Sequence, residues 1–421
     1  MSNDFSKEER VAFEDILEGF EDALVLSRNV SKYNVADGAM ERSGDIVWRP
    51  QPYIATSEDG MDQTANFKQA TQLSVPATIG FSKSVPWTMD AKELRDALQE
   101  KRLGDAAKQR LASDVNLAIM NVAANQGTLV VARTAAASGY DDVSEADALM
   151  NEQGVMSYDR YLALSSRDYN AMAGNLASRA TMTGKPTKAY EKSYVGEVSG
   201  FETYKLDYAN RLAAAGGGGG LTVSTLVGAA NFYTPVATST SATGERSNVD
   251  NRYQTITISS TTSVLAGDCL TIAGVEAVHH ITKQSTGVLK TFRVISVDSA
   301  TTMTISPPMI SNQGATDAEE RYQNVEITPS ATAAIVFLNT TAAAVNPFWH
   351  KDAIEILPAR YAVPSDAGTY VMRGTTEQGI EMTFTKFFDI NTMRIKYRTD
   401  ILLGVVNKQP EMSGIMLFGQ V

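Results

Sequence analysis

The chain is interrupted. From Met1 to about Leu212 it carries a body of mixed helical and extended patterns, then runs through Ala213-Ala214-Ala215 into the five glycines Gly216 to Gly220. Consecutive glycines have no side chains to pack and lose the most conformational freedom on ordering, so this run is a linker and not an element. From Leu221 to about Asn346 the composition changes to Thr, Ser, Val and Ile with Gly punctuation, and Pro347-Phe348-Trp349 resumes the body style. A strand-rich domain is therefore predicted to be inserted into another domain. Nothing near that junction has the layout of an active site, which points to a structural protein.

Within the insert the period is two. Ile256 and Ile258 alternate with Thr255 and Thr257, and Leu270 and Ile272 with Cys269 and Thr271. Phe292 and Val294 alternate with Arg293, then Ile295 and Val297 with Ser296, a one-residue phase shift that predicts a β-bulge. Met303 and Ile305 follow, and Gly267, Gly274 and Gly287 separate the runs. Short strands at this spacing predict a small barrel or sandwich. Before them, Pro235 to Asn251 is polar and turn-rich, an exposed loop with Gly244 at its tip.

The body begins with a helix in which Phe13, Leu17, Phe20 and Leu24 form one apolar stripe. The stripe needs a neighbour, either the rest of the chain or another subunit. Arg49 to Trp87 is extended, because Pro50, Pro52, Pro76 and Pro86 forbid long helices. Two strands around a polar tip predict a long hairpin lying on another surface, with the strand Leu73–Ile79 held at an edge by Pro76. Asp90 to Gln126 is the strongest helix: Asp90 and Glu93 form a capping box, Gly104 bends or divides it, and Gly127 stops it. At about 1.5 Å per residue it would span roughly 50 Å. Val143 to Ala180 mixes helix with a short buried strand, Tyr161–Leu164. Ala353–Leu357, Met382–Phe387, Arg394–Tyr397 and Ile415–Phe418 are predicted strands.

With 421 residues the chain has room for two or three domains. Its net charge of −11 disfavours phosphate binding as the main role. Cys269 is the one cysteine, so no intramolecular disulfide forms, which fits a reducing compartment. No secretory signal and no transmembrane run is expected. The sequons at Asn29 and Asn339 are chance matches without a secretory route. His279, His280 and His350 do not make a metal site: adjacent strand residues point to opposite faces, and Cys269 is the remaining thinkable ligand. Thr183-Gly184-Lys185-Pro186-Thr187 lacks the spacing of a phosphate loop. Lys101-Arg102 and Lys108-Arg110 form a basic stretch on the long helix, read as a solvated face rather than a contact for an acidic partner.

Several blocks, in order, resemble one family. Val249-Asp250-Asn251-Arg252-Tyr253 with Thr255 to Ile258, Gly267-Asp268 and Ala273-Gly274-Val275 resembles the inserted domain of coat proteins from short-tailed phages of the P-twenty-two type. Met40 to Ser43 with Trp48-Arg49-Pro50 resembles their N-terminal segment. Glu93 to Asp96 and Leu111 to Val115 resemble their long helix, Phe348-Trp349 with Asp352-Ala353-Ile354 the return from the insert, and Gln409-Pro410-Glu411 with Gly414-Ile415 the C-terminus. The blocks cover most of the chain.

The resemblance implies an α+β protein with the tailed-phage (HK-ninety-seven type) capsid fold. The parts would be an N-terminal arm over residues 1–48 and an extended hairpin loop over 49–88. The spine helix with peripheral and axial regions would span 89–220, the inserted β-barrel 221–346 with a protruding loop at 235–251, and the remaining axial and peripheral parts 347–421. The axial domain would combine Gly127 to Leu212 with part of Ala359 to Phe384. The implied role is a major capsid protein, not an enzyme and without a cofactor or metal. It would form hexamers and pentamers of an icosahedral shell in the host cytoplasm, with a scaffolding protein, a portal ring and non-specifically held double-stranded DNA as partners and no membrane. The absence of a removable pro-segment before the arm is read as a separate scaffold. Candidate intersubunit contacts are Phe13 and Phe20 in the arm, Ser241, Thr243, Glu245 and Arg246 at the loop, and Asp250 and Arg252 at its base. Where the family carries acidic residues near the loop tip, this chain has Ser241 and Thr243, so hydrogen bonding or pairing through Glu245 and Arg246 takes their place. A β-rich carbohydrate or cell-surface binder is the alternative reading, and a hydrolase-like enzyme the third.

Overall fold

A computed structural model describes residues 7–33, 46–64, 67–68, 70–90, 97–178, 188–189, 192–193, 195–216, 220–224, 233–314, 316–361, 370–376 and 379–421. The chain divides into two compact units: Met1–Val47, Ala77–Asn121 and Ile354–Val406 form the first, and Trp48–Pro76, Val122–Ala353 and Asn407–Val421 the second.

The first unit is a sheet with a helix on one face. Its strand order is Ser31–Lys32, Ile354–Pro358, Arg394–Asn407, Glu381–Asp389 and Tyr370–Thr375, and Phe81–Asp90 pairs antiparallel with Arg394–Leu403. Helix α1 (Lys7–Ala23) brings its apolar stripe to this sheet: Phe13, Ile16, Phe20 and Leu24 are all buried. The Phe13 ring lies 5.9 Å from that of Phe384, which stacks on Tyr397 at 5.6 Å, and Trp87 lies 5.9 Å and 5.7 Å from those two. The stripe's neighbour is therefore the chain itself. Helix α2 (Ala97–Gln126) is continuous through Gly104, so that glycine does not divide it. A Cβ there would come within 2.5 Å of Ile16 Cδ1, so the glycine makes room for α1. Asp90 ends the strand Phe81–Asp90, its backbone paired with Arg394, and residues 91–96, over which the capping box was expected to open the helix, lie outside the described residues. Glu93 lies outside the described residues.

The second unit holds a six-stranded sheet among the described residues, in the order Leu129–Ala132, Ser413–Leu417, Asn346–His350, Arg160–Ser165, Phe201–Leu206, Glu197–Val198. Arg160–Ser165 is buried along its whole length, between α3 (Tyr140–Glu152) and α4 (Ser166–Ala177) in sequence. Helix α4 starts where Ser165 Oγ accepts from the Asp168 backbone N–H at 3.2 Å. The strands completing this sheet are Asn346–His350 and Ser413–Leu417; Ala359 to Phe384, expected to do so, falls in the first unit. The expected long hairpin over 49–88 is also shorter. Ile46–Pro50 and Ser74–Thr78 form a two-stranded sheet, and Phe81–Asp90 has a longer partner in Arg394–Leu403. The segment between lies against the helix Asp317–Tyr322, with Lys68 paired to Glu320 at 2.6 Å and Tyr322 Oη donating to Thr71 O at 2.9 Å.

The insert is a closed barrel. Its strands run in the order Gln254–Thr257, Thr302–Ser306, Ser285–Val297, Cys269–Val278, Ile335–Phe337. The two ends are joined by Leu221–Ser224. Ser224 N and Ser259 N bond across to Thr257 O and Thr222 O, while Val223 N and Ile335 N bond to Ala333 O and Leu221 O, all at 2.8–2.9 Å. Closure removes the free edges that an open sheet of this size would expose. Ile256, Ile258, Leu270, Ile272, Phe292, Val294, Met303 and Ile305 fill the interior. The pairing shifts between Val294–Ile305 and Ser296–Thr304, leaving Ile295 as the extra residue of the bulge.

Candidate functional site

The loop 235–251 is a hairpin. Thr238–Thr240 pairs antiparallel with Arg246–Asn248, and every residue of both strands is exposed. Its tip is organised by short polar side chains. Ser241 Oγ accepts from Glu245 N at 3.1 Å and lies 2.7 Å from Thr243 Oγ1, while Gly244 turns the chain at φ +84°. Arg246 reaches back to Thr238 Oγ1 at 3.3 Å, and Glu245 is exposed beside it. Ser241, Thr243, Glu245 and Arg246 are thus brought together at one exposed end, with adjacent charges of opposite sign.

The base is held much more firmly. Asn251 uses its whole amide: Oδ1 accepts from Val236 N at 3.0 Å and Tyr233 Oη at 3.1 Å, and Nδ2 donates to Val236 O and Val249 O at 2.9 and 3.0 Å. Asp250 and Arg252, expected at an intersubunit contact, pair with each other at 2.6 Å. Arg252 is 7% exposed and donates to Asn407 O at 2.8 Å, so it anchors the hairpin within its own unit and has little surface left for a partner. Phe13 and Phe20 are likewise buried in their own unit.

A seam joins barrel to sheet. Lys290 is 1% exposed, with Nζ 2.6 Å from Glu411 Oε1 and 2.6 Å from Gln153 Oε1. Asn324 Nδ2 donates to the same carboxylate at 3.1 Å, and His280 Nε2 lies 3.4 Å from its other oxygen. Burial would raise the Glu411 carboxyl, but the charges of Lys290 and His280 outweigh it and hold the group well below the usual carboxylate range. Thr291 Oγ1 donates to Thr128 O at 2.8 Å. Asn339 closes the exit of the insert: Nδ2 donates to Ala213 O and Asp268 Oδ1, and Oδ1 accepts from Cys269 N at 3.1 Å. Its side chain is buried, so the sequon match there is a structural crosslink.

Sequence reasoning missed Lys290, Asn251 and Asn339 as structural residues. The one available signal was Glu411, inside the Gln409-Pro410-Glu411 block. Among the described residues no group of three or more His, Cys, Asp or Glu is placed to hold a metal. Cys269 is fully buried, which pushes its thiol up. On α2, Lys108 pairs with Asp105 and Arg110 with the buried Asp114, each at 3.0 Å, while the Lys101 and Arg102 side chains lie outside the described residues. Thr183 to Thr187 lies outside the described residues.

The site is an exposed hairpin on a stapled base, carried by a barrel fixed to its sheet. The protein is a phage coat protein, a structural component of a capsid. Residues 1–419 match the family described as P22 coat protein, gene protein 5, and the chain belongs to that family. It is 39% identical to the CUS-3 coat protein I-domain, over 30% of this chain and 99% of that one, with a TM-score of 0.23. It also matches a structure from Mycobacterium phage Che8 at 10% identity, over 93% and 90% of the two chains, with a TM-score of 0.46. The capsid of Helicobacter pylori bacteriophage KHP30 matches at 9% identity over 93% and 88%, with a TM-score of 0.41. The chain is α+β, with a long helix and an inserted barrel. As a coat protein it is part of the virion and acts as a homo-oligomer.

Proposed function

We propose that this subunit assembles in the host cytoplasm, with a scaffolding protein, into hexamers and pentamers of an icosahedral shell that encloses double-stranded DNA and carries a portal ring at one vertex. The hairpin 238–248 is the reading's main support, because it is exposed on both strands while Asn251 and Arg252 fix its base. Presenting a rigid exposed element lowers the ordering cost of each weak contact, and many such contacts sum over a shell. The hairpin would meet its copy across a two-fold axis, where one patch must complement itself. Glu245 beside Arg246 meets that condition, since rotation sets each charge against its opposite. The net charge of −11 suits a shell that contains DNA without adhering strongly to it.

The test is negative-stain microscopy of the chain expressed with and without the scaffolding protein of its phage, beside a variant lacking 241–245. Closed uniform shells from the intact chain with scaffold, and open or irregular products from the shortened one, are expected. Soluble monomers in every arm would reject the assembly reading. Normal shells from the shortened chain would reject the hairpin's role.

A further inference from the structure

The loop between Ile46–Pro50 and Ser74–Thr78 turns at Asp59-Gly60, with Gly60 at φ +97°. Both residues are exposed, and a Cβ added at Gly60 would meet nothing within 4 Å. Aspartate followed by glycine is the pair in which a main-chain nitrogen most easily reaches the preceding side-chain carboxyl, because glycine puts no Cβ in the way and leaves the backbone free to turn. The chain has one other such pair, Asp37-Gly38, which lies outside the described residues.

The acids of this turn differ in what holds them. Glu58 pairs with Lys68 at 3.1 Å, and Lys68 in turn with Glu320 at 2.6 Å. Asp62 accepts from Thr64 N at 3.1 Å and from Thr64 Oγ1 at 2.6 Å. Asp59 has neither kind of partner: among the described residues its carboxylate makes no hydrogen bond or ion pair, and the Gly60 N–H makes no hydrogen bond. Both reacting groups are therefore unengaged. The carbonyls, by contrast, are held. Gln63 Nε2 donates to Asp59 O at 3.2 Å and to Gly60 O at 2.6 Å. A donor on the Asp59 carbonyl polarises that peptide, draws electron density from the Gly60 nitrogen and makes its proton easier to remove.

We propose that Asp59-Gly60 is a self-modification site, where aspartate converts to isoaspartate through a cyclic imide and Gln63 promotes the step. Gly60 N attacks Asp59 Cγ. The N–Cγ bond forms, and one carboxyl oxygen leaves as water, taking the nitrogen's proton and one from solvent. Water then opens the ring at either carbonyl. Cleavage of N–Cγ restores aspartate, whereas cleavage between the nitrogen and the Asp59 carbonyl carbon leaves the chain running through Cγ with the α-carboxylate free. The isomer has the composition of the starting chain. The oxygen that accepts from Gln63 becomes part of that free carboxylate, and a hydrogen bond to an ionised acceptor is the stronger kind, so Gln63 favours the product as well. The main chain is then one methylene longer next to Glu58, where Lys68 ties the loop to the helix Asp317–Tyr322.

The two isomers have equal mass, so the test uses solvent oxygen as the label. The full-length soluble subunit is kept for weeks at neutral pH in heavy-oxygen water, then digested in ordinary water at mildly acid pH. Each ring opening adds one solvent oxygen, which mass spectrometry counts, and electron-transfer fragments locate the isoaspartate. The readout does not depend on whether shells form. Label and isoaspartate at position 59 are expected in the folded chain, with an isolated peptide of sequence 55–66 run beside it as a clock. Gln63→Ala should slow the folded chain about fivefold, the size of one net hydrogen bond, and leave the peptide's rate unchanged. Asp59→Glu, which would need a six-membered ring, should abolish the label at that position. A folded chain that stays unlabelled at position 59 while the peptide converts overturns the site. So does a folded Gln63→Ala chain that reacts at the wild-type rate, or label that persists there in Asp59→Glu.

Discussion

Lys290 and Glu411 leave water together as a pair, and the charge beside it holds the Glu411 carboxyl below its ordinary range. Removing one partner of such a pair leaves an uncompensated buried charge, which costs about 3–5 kcal/mol, whereas replacing both by apolar residues is often neutral. Glu411→Gln should therefore lower the urea-unfolding stability of the second unit by about that amount. The pair Lys290→Met and Glu411→Met should recover most of it; a double variant as unstable as the single would show that the charge is not what matters. The pH dependence follows in sign. A carboxyl held below its ordinary value of 4.5 contributes stability that is complete above pH 4.5 and is lost as pH falls toward the folded value, so acid should destabilise wild type more than the double variant. Lys283 acts at the other end. Burial brings its ammonium down from 10.5 to about 8, against the pull of Glu411 and Glu320. Between those values the unfolded chain binds more protons, so stability should rise with pH from about 8 to 10.5, and Lys283→Met should remove that rise in alkaline unfolding curves. These residues were not legible in the sequence, because Lys290 and Gln153, or Asn339 and Ala213, meet across more than a hundred positions and no local period marks them.

Elements carried more of their own evidence. The α1 stripe, the barrel alternation and the bulge at Ile295 are local periodic signals, and each is where its pattern placed it. The partner of Phe81–Asp90 was not, since Arg394–Leu403 lies some three hundred positions away and no local period marks the pairing. Two glycines show what patterning misses. A Cβ at Gly414 would stand 2.5 Å from Phe348 Cζ and 2.6 Å from Leu129 Cβ, while one at Gly244 meets nothing within 4 Å. Gly414→Ala should then cost about 1–3 kcal/mol or more through overpacking of the six-stranded sheet. Gly244→Ala should cost less, through its positive φ alone, and denaturant midpoints of the two variants would order them. For the hairpin, Glu245→Arg or Arg246→Glu alone should reduce shell yield, and the exchanged pair should restore it, measured by sedimentation of assembly products. Equal yields from all three would mean that these charges do not face their copies across an axis.

At the scale of the molecule, the insert is closed on itself yet its outer face is not finished. Cys269 and Arg293 share that face with Ser306 across the strand register, and Cys269 packs with Ala124, Val130, Ala343, Val345, Ile415 and Leu417 outside the barrel. The glycine run and the change of composition made the insertion legible from sequence, whereas the docking of its outer face was not, because that face alternates small, polar and charged residues. The thiol reports on the seam. It is buried completely and raised by burial, so both access and thiolate are suppressed while barrel and sheet stay joined. The native chain should therefore react slowly with a disulfide reagent such as dithionitrobenzoate. Glu411→Gln should react faster at denaturant concentrations where circular dichroism still shows a folded barrel, because weakening the seam favours partial opening over global unfolding. The excised domain 221–346, which keeps its interior but loses the sheet it packs against, should react at the rate of a free thiol while unfolding cooperatively. If Cys269 labels only in step with global unfolding in the full chain and its variant, barrel and sheet behave as one cooperative body and the seam has no separate opening.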